Sequence, residues 1–561
     1  MSGLHLVELR GYVYPLVLSF QLIFGFLQLL DYFGVRYHPM IHRSNSAYYF
    51  ELGFSLVAPM VALAVLWAAV NFLAGRWSLL FASAPLFYCL YSVELGVSMA
   101  SVFMCLVGLF FMEDRGRFTN VMLWVLSFFL GLGVIHWGVL KPLGVPSLLE
   151  GLAALMFNIH HVLRRLFPIL VLPFLFFWLV KPLLGVKLRI PELTVGESGF
   201  NRFSWLLLGF SLFLSVYAAV YPYFPAVNLG GVGFGVDFHD YQQWFQIIEH
   251  EEGGLTSGVG AERLFFFLVF YGFRWVVGLD SSTSLRFLPM LLNPLFVSAS
   301  CFFSWEYFRN SRLAAWCAFL SATGMVLTVG LYAYFLSNLL ALSIVLFSLG
   351  LLFRAVHEGS LRLLGLASVV GCLLVFTHPW TMDQYLACLV PVIGLLLHRK
   401  DAQYMSQVLY LGVYLAVVGL AEVAKIVFLE SGGGIAGMST AASGFVALNE
   451  IWSSLLFCFR FIYGGFISNL VLLGLATAGL YVLRVDKVSG HYLEALVLLS
   501  SLVYFVSFET NKSRLLYNLP FGFFGSLALY LLYERGGFSS TVFVVAYSLF
   551  YFFVSVGSLV W

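Results

Sequence analysis

Charged side chains are scarce in this sequence. Asp, Glu, Lys and Arg together make up 10% of the 561 residues, whereas about 25% is usual in a soluble protein. Hydrophobic residues make up 61%, which is more than a soluble protein of this size could bury. The formal net charge is +2, so there is no broad basic surface that would attract polyanions. These values exclude a soluble cytosolic enzyme, a disordered chain and a nucleic-acid-binding protein.

Sequence motifs for metals, disulfide bonds and nucleotides are lacking as well. The seven cysteines stand singly in apolar segments and form no Cys-x-x-Cys pair, so neither a zinc site nor a disulfide framework is indicated. The glycine-rich stretch 229–235 has no P-loop lysine, and no dinucleotide-binding glycine motif follows a predicted strand. A cleavable signal peptide is not evident, because the first apolar run, 11–33, is too long for one.

Long apolar runs separated by short charged breaks are what the sequence contains instead. About 20 mainly apolar residues suffice for one membrane span, and the pattern predicts an all-α, polytopic transmembrane protein. In the first part, 78–112 crosses once or twice, and single spans are predicted at 11–33, 52–74, 118–140 and 166–184. In the rest of the chain, spans are predicted at 203–224, 286–306, 313–330, 333–354, 362–377, 380–398, 404–428, 464–484, 489–507, 516–534 and 539–560.

Lysine and arginine residues predict how these spans are oriented, because connections on the inner face carry an excess of them. Basic connections alternate along the second part of the chain and lie at 185–202, 309–312, 354–362, 399–400, 484–487 and 535. The alternation holds only if 263–280 does not cross, so this segment is predicted to lie on the outer interface. We therefore interpret 1–185 as an N-terminal transmembrane region of unknown role and 186–561 as a transmembrane core with an outer loop over 225–285.

On this topology four polar segments share the outer face. They lie at 225–262, 378–380, 431–445 and 508–515. Lys512 and Arg514 in the last segment are cations on a face that otherwise carries few, and an anionic ligand would explain them. The planar guanidinium group suits phosphate, although reaching toward lipid headgroups is a simpler explanation for both residues.

The outer loop 225–262 carries the acids that could perform chemistry. Asp237 and Asp240 precede aromatic and apolar residues at helical spacing, which predicts a short amphipathic helix with Asp237 at its N-cap. Capping and solvation explain both acids structurally, and the functional alternative is a general base at the membrane surface. Asp237, His239 and Asp240 could also hold a divalent metal ion.

Two further positions place polar groups in apolar surroundings. His378 is followed by Pro379 and Trp380, which would break a helix at the membrane boundary; alternatively, His378 donates to a phosphate or a sugar. Glu422 and Lys425 are spaced three residues apart within one predicted span, and this spacing predicts an ion pair inside the membrane.

Residues from about 203 to 561 resemble the GT-C class of polytopic membrane glycosyltransferases. The order of features carries the resemblance: a first span, an outer loop with an early acid, and an apolar helix that leads into Gly-Leu-Asp at 278–280 and Ser-Leu-Arg at 284–286. The late outer stretch 513–520 reads SRLLYNLP, which is similar to the R-Y-x-x-x-x-P stretch that opens a late span in this class.

The resemblance implies transfer of a sugar from a polyprenyl (dolichyl-type) phosphate carrier to an acceptor on the outer face. Asp237 or Asp240 would be the catalytic base. Lys512 and Arg514 would neutralise the phosphate leaving group, and further contacts to the carrier or sugar would come from His239, His378 and Tyr517. The acceptor would be a lipid-linked glycan or a surface glycan or protein, and the enzyme would act at the outer face of the cell (plasma) membrane.

One departure from the class concerns metal dependence. Members often carry a second acid in a later outer turn, but the corresponding turn here, 330–334, reads GLYAY. A divalent metal cofactor is therefore an option that the sequence does not favour. Two other functions stay open: a transporter or flippase, and a non-catalytic membrane subunit that keeps the fold.

Overall fold

The computed structural model describes residues 115–145, 199–250, 254–399, 402–429, 470–483, 488–502, 517–535 and 537–557, apart from Val232 and Ser257. Every regular element in these residues is helical and none is a β-strand, which confirms the all-α prediction. The chain divides into two compact units, Met1–Leu126 and Ser127–Trp561, and the structure describes 115–126 of the first. The predicted boundary near 185 and the predicted spans within 1–112 and at 166–184 lie outside the described residues.

The helices are numbered here in chain order. In the first part they are α1 (Arg115–Ile135, continued by a π-helical turn His136–Leu140), α2 (Arg202–Val220), α3 (Phe238–His250), α4 (Gly258–Glu262), α5 (Leu264–Val277), α6 (Ser281–Phe287), α7 (Pro289–Phe308), α8 (Ser311–Ala322) and α9 (Met325–Ala333). The others are α10 (Leu336–Glu358), α11 (Leu361–Val375), α12 (Pro379–Ala387), α13 (Leu389–Arg399), α14 (Ala402–Leu429), α15 (Leu470–Val482), α16 (Val488–Leu502), α17 (Phe521–Glu534) and α18 (Phe538–Gly557).

Eight helical segments of the described chain are long and apolar enough to cross a membrane. They are Leu123–Leu140, Arg202–Tyr223, Ser281–Phe308, Ser311–Ala333, Leu336–Glu358, Pro379–His398, Tyr404–Leu429 and Phe538–Gly557. The protein is therefore a multi-pass helical membrane protein. Helix α11, predicted as a full span, has only 15 residues. At 1.5 Å per residue it is about 22 Å long, which is shorter than the hydrocarbon core of about 30 Å.

Residues of the predicted basic connections meet at one end of the helices. Glu306 pairs with Arg309 at 2.9 Å and with Arg354 at 3.3 Å, although these arginines belong to different connections. Arg312 pairs with Glu534 at 3.0 Å at the end of α17. The contacts place these connections on a common face, as the positive-inside pattern predicts.

The segment 263–280 contains a helix that is shorter than a full membrane span. Helix α5 has 14 residues. The backbone N–H of Phe265, its second residue, donates to the Phe376 carbonyl at 2.8 Å. Beyond α5, Ser282 accepts a hydrogen bond of 2.9 Å from Gln242 of α3. The two ends of α5 thus lie close to the predicted outer segments 378–380 and 225–262, as expected of a helix on the outer interface. One face of α5 is buried, and at its end Trp275 remains 85% exposed.

Helices α15 and α17 approach each other closely at Gly479. A Cβ atom at this position would lie 1.7 Å from the carbonyl oxygen of Phe524, and small residues are what allow such close backbone approach in membranes. We expect Gly479→Ala to destabilise the protein by about 1–3 kcal/mol, because the helices must separate. A lowered unfolding temperature in detergent, followed by intrinsic fluorescence, would show this.

Gly474→Ala is the matched control for this prediction. Gly474 lies on the same helix, and a Cβ atom there would meet nothing within 4 Å. The same unfolding temperature for both variants would mean that the close approach at Gly479 does not contribute to stability.

Candidate functional site

The predicted outer loop is fixed to the last residues of α9 by two backbone hydrogen bonds. The N–H of Val236 donates to the Tyr332 carbonyl at 3.0 Å, and the N–H of Asp237 donates to the Ala333 carbonyl at 3.1 Å. These residues belong to the stretch 330–334 that lacks the second acid. The half-buried Asp237 is therefore held in place by its backbone.

Gly235 makes this attachment possible. Its φ of +106° lies in a region that residues with a side chain rarely adopt, and a Cβ atom would lie 2.7 Å from the Tyr334 ring. Tyr334 is fully buried, and its hydroxyl donates to the Leu285 carbonyl at 2.6 Å. Burial raises the pKa of this hydroxyl well above its ordinary value, so Tyr334 remains a neutral hydrogen-bond donor.

Helix α3 begins at Phe238. Asp237 therefore occupies the N-cap position, as predicted. Its buried side is made by four side chains: Phe238, Tyr241, Phe245 and Ile248. His239 and Asp240 lie on the exposed side, and His239 Nε2 contacts Gln243 Nε2 at 3.1 Å. The predicted amphipathic helix is thus confirmed. Asp240 lies in the first turn, where a negative charge is favoured by the helix dipole.

An arginine that the sequence analysis did not select lies behind α3. Arg263 Nη1 donates to Ser337 Oγ at 2.9 Å, and its guanidinium carbon lies 4.6 Å from the centre of the Trp244 ring. The Tyr241 hydroxyl also donates to Ser337 Oγ, at 3.0 Å. The first turn of α10 therefore joins α3 to the start of α5.

A buried network of amide and hydroxyl groups joins the residues that follow the His378 turn, and those that follow Tyr517, to the same turn of α10. Asn338 Nδ2 donates to Asn518 Oδ1 at 2.9 Å, and the Thr381 hydroxyl donates to Asn338 Oδ1. Asn518 Nδ2 also donates to Gln384 Oε1 at 2.8 Å, and Gln384 donates to Ser500 at 2.7 Å. A lone Asn within an apolar run is the only sequence signal that could have identified Asn338.

The other predicted ligand-binding residues have structural contacts here. His378 is buried at the N-cap of α12, where its Nδ1 accepts a hydrogen bond from the Thr381 N–H at 3.3 Å. Tyr517 is fully buried, and its hydroxyl donates to the Val326 carbonyl at 2.5 Å. Contact of either residue with a carrier or sugar stays a prediction. Lys512 and Arg514 lie outside the described residues.

The predicted ion pair of Glu422 and Lys425 is present in α14. Lys425 Nζ lies 3.4 Å from Glu422 Oε2 and 2.9 Å from the Val375 carbonyl, and both side chains are at most 2% exposed. Asp383 of α12 is also buried and lies within electrostatic range of the pair. Asp383 Oδ2 and Glu422 Oε1 have no hydrogen-bond partner among the described residues.

A divalent metal ion at Asp237, His239 and Asp240 stays a prediction. In the part of the chain that the structure describes, no group of three or more His, Cys, Asp or Glu side chains is placed to hold a metal. Asp280, another outer acid, instead accepts a hydrogen bond from the Thr283 N–H at 3.0 Å at the start of α6. Hydrogen bonding to Thr283 lowers the pKa of this carboxyl below its ordinary value.

The site is thus a meeting point of three predicted outer segments at the first turn of α10. It brings together the loop of Asp237, His239 and Asp240, the turn of His378, and the segment of Tyr517. No protein-family model and no curated protein matches the chain. Its function is therefore argued from these contacts.

Proposed function

We propose that this protein is an integral-membrane glycosyltransferase that moves a sugar from a polyprenyl-phosphate carrier to an acceptor at the outer face of the cell membrane. The convergence on Ser337 and Asn338 of three segments predicted to lie at the outer face is the observation that supports this proposal. It brings an acid, a guanidinium group and a buried polar network to one end of a membrane-embedded helix bundle.

In the proposed reaction, Asp237 or Asp240 accepts the proton of an acceptor hydroxyl as its oxygen attacks the anomeric carbon of the sugar. The bond between that carbon and the carrier phosphate breaks, and the bonding electrons leave with the phosphate. Lys512 and Arg514 neutralise the charge that develops there. A single displacement of this kind inverts the configuration at the anomeric carbon.

Transfer of a radiolabelled sugar by the purified protein tests the proposal. A panel of polyprenyl-phosphate sugars would be offered with lipid and peptide acceptors, and heat-denatured protein would be the control. Turnover with one donor is the expected result. Absence of both turnover and binding for every donor in the panel would refute the proposed function.

A transporter or flippase is the second candidate, and one observation favours it. Glu422, Lys425 and Asp383 form a buried charged cluster inside membrane-length helices, and such residues often mark substrate or ion pathways. Glu422→Gln would then abolish lipid or solute movement in proteoliposomes. For a glycosyltransferase, the same change would leave sugar transfer largely intact in protein that folds.

A further inference from the structure

Among the described residues, the guanidinium group of Arg263 has neither a carboxylate nor a carbonyl acceptor. Near the C-terminal end of α5, Arg274 pairs with Glu249 at 2.7 Å. At the other end of the helix bundle, Arg312 pairs with Glu534. Arg286 donates to the Gly231 carbonyl at 2.7 Å and thereby supports the glycine-rich loop. In the described part of the chain, the guanidinium group of Arg263 contacts the Ser337 hydroxyl and the Trp244 ring.

No acidic side chain in the described part of the chain forms an ion pair with Arg263. The residue is half-buried, and its Nε atom is buried without a hydrogen-bond partner. A guanidinium group keeps its charge at all relevant pH values, and covering it without a counter-charge is costly. A bound anion would compensate the charge of Arg263.

The donors around Arg263 match a phosphate ester. Its Nε and Nη groups form the planar fork that binds two phosphate oxygens. The Ser337 hydroxyl accepts hydrogen bonds from both Arg263 and Tyr241, which leaves its own proton available to an oxygen atom. Ser337 is also the second residue of the 23-residue helix α10, whose positive dipole end favours an anion.

The position of Arg263 also suits a ligand that belongs to a lipid. Arg263 directly precedes α5, whose exposed Trp275 is the type of residue that lies at headgroup depth. Trp244, which covers the guanidinium group, lies four residues after Asp240 on α3. Side chains at that spacing have Cβ atoms about 5–6 Å apart, so Asp240 is a helical neighbour of the ring that covers Arg263.

We propose that Arg263, with Ser337 and Trp244, binds the phosphate ester of a lipid, which in the proposed reaction is the polyprenyl carrier. This inference rests on the proposed function for the identity of the carrier. It adds a residue to the phosphate contacts expected from Lys512 and Arg514, in the part of the chain that the structure describes.

Binding of decaprenyl phosphate to the full-length protein in phosphatidylcholine nanodiscs tests the inference. Arg263→Gln should weaken binding at least about tenfold, which corresponds to the loss of one charge-assisted hydrogen bond. Arg263→Lys should restore part of the affinity. Arg274→Gln is the matched control because Arg274 lies on α5 and is paired with Glu249; its affinity should stay within about twofold of wild type.

Comparison of ligands distinguishes the possible sources of the phosphate. Decaprenol, which lacks the phosphate, should not respond to Arg263→Gln. An effect with decaprenyl phosphate alone assigns the carrier, and an equal effect with phosphatidylglycerol assigns a bilayer headgroup. Unchanged binding of both lipids by a folded Arg263→Gln variant, or binding of inorganic phosphate alone, would overturn the inference.

The binding measurement contains neither sugar nor acceptor, so its failure can be separated from failure of the proposed function. If sugar is transferred but Arg263→Gln leaves carrier binding and transfer unchanged, only the role of Arg263 is wrong. If carrier binding depends on Arg263 but no sugar is transferred from any donor, the phosphate site stands and the proposed reaction is wrong.

Discussion

Asp237→Asn should lower the rate of sugar transfer by at least about a hundredfold, while carrier binding stays within about twofold of wild type. A general base contributes about 10²–10⁴-fold to a rate, and asparagine keeps the size of the side chain but cannot accept the proton. We expect this effect at Asp237 because its backbone is hydrogen-bonded to Ala333. Its carboxylate therefore starts from a fixed point, whereas Asp240 is exposed.

Two further variants make this prediction specific. Glu249→Gln changes another acid of α3, but one that is paired with Arg274, and it should leave turnover nearly unchanged. Asp240→Asn should have the smaller effect of the two aspartate variants. A larger loss for Asp240→Asn would transfer the role of base to that residue, and full activity in both variants would remove the loop from the chemistry.

Lys425→Met should destabilise the protein by about 3–5 kcal/mol, the usual cost of removing one partner from a buried ion pair. Lys425 and Glu422 are at most 2% exposed, so water cannot solvate the carboxylate that remains. Asp383 adds a second acid within electrostatic range. Unfolding of the detergent-solubilised protein by increasing SDS, followed by intrinsic fluorescence, measures the change.

The double variant Glu422→Gln, Lys425→Met tests whether the unpaired carboxylate of Glu422 causes the loss of stability. Removing both charges should recover most of the lost stability, because replacing a buried pair entirely is often neutral. If the single variant is as stable as wild type, the pair is not energetically important. If the double variant is no better than Lys425→Met, the loss comes from packing or from the Val375 carbonyl contact.

Local patterns predicted much of the fold. Apolar runs gave the long helices, the alternation of basic connections excluded a crossing at 263–280, and acid followed by spaced apolar residues gave α3. The pairing of Glu422 with Lys425 followed from their spacing on one helix. Each of these features depends on residues close together in the sequence, where helix geometry fixes which side chains meet.

Contacts over long sequence distances could not be predicted in this way. Arg263 and Ser337 are 74 residues apart, and Asn338 and Asn518 are 180 apart. No local pattern says which of several similar residues will meet after packing. The attachment of the acidic loop to Tyr332 and Ala333 is formed by backbone groups, which every residue carries and which therefore leave no mark on the sequence.

Helix α5 lies on the surface and leaves Trp275 and Val276 exposed beside the candidate site. A carrier that reaches Arg263 from this side keeps its polyprenyl chain in the bilayer while its phosphate contacts the guanidinium group. Encounter then takes place by lateral diffusion in two dimensions. Donor supply is set by the number of carrier molecules per area of membrane, so diluting the carrier with other lipids slows the protein even when its amount in the sample is constant.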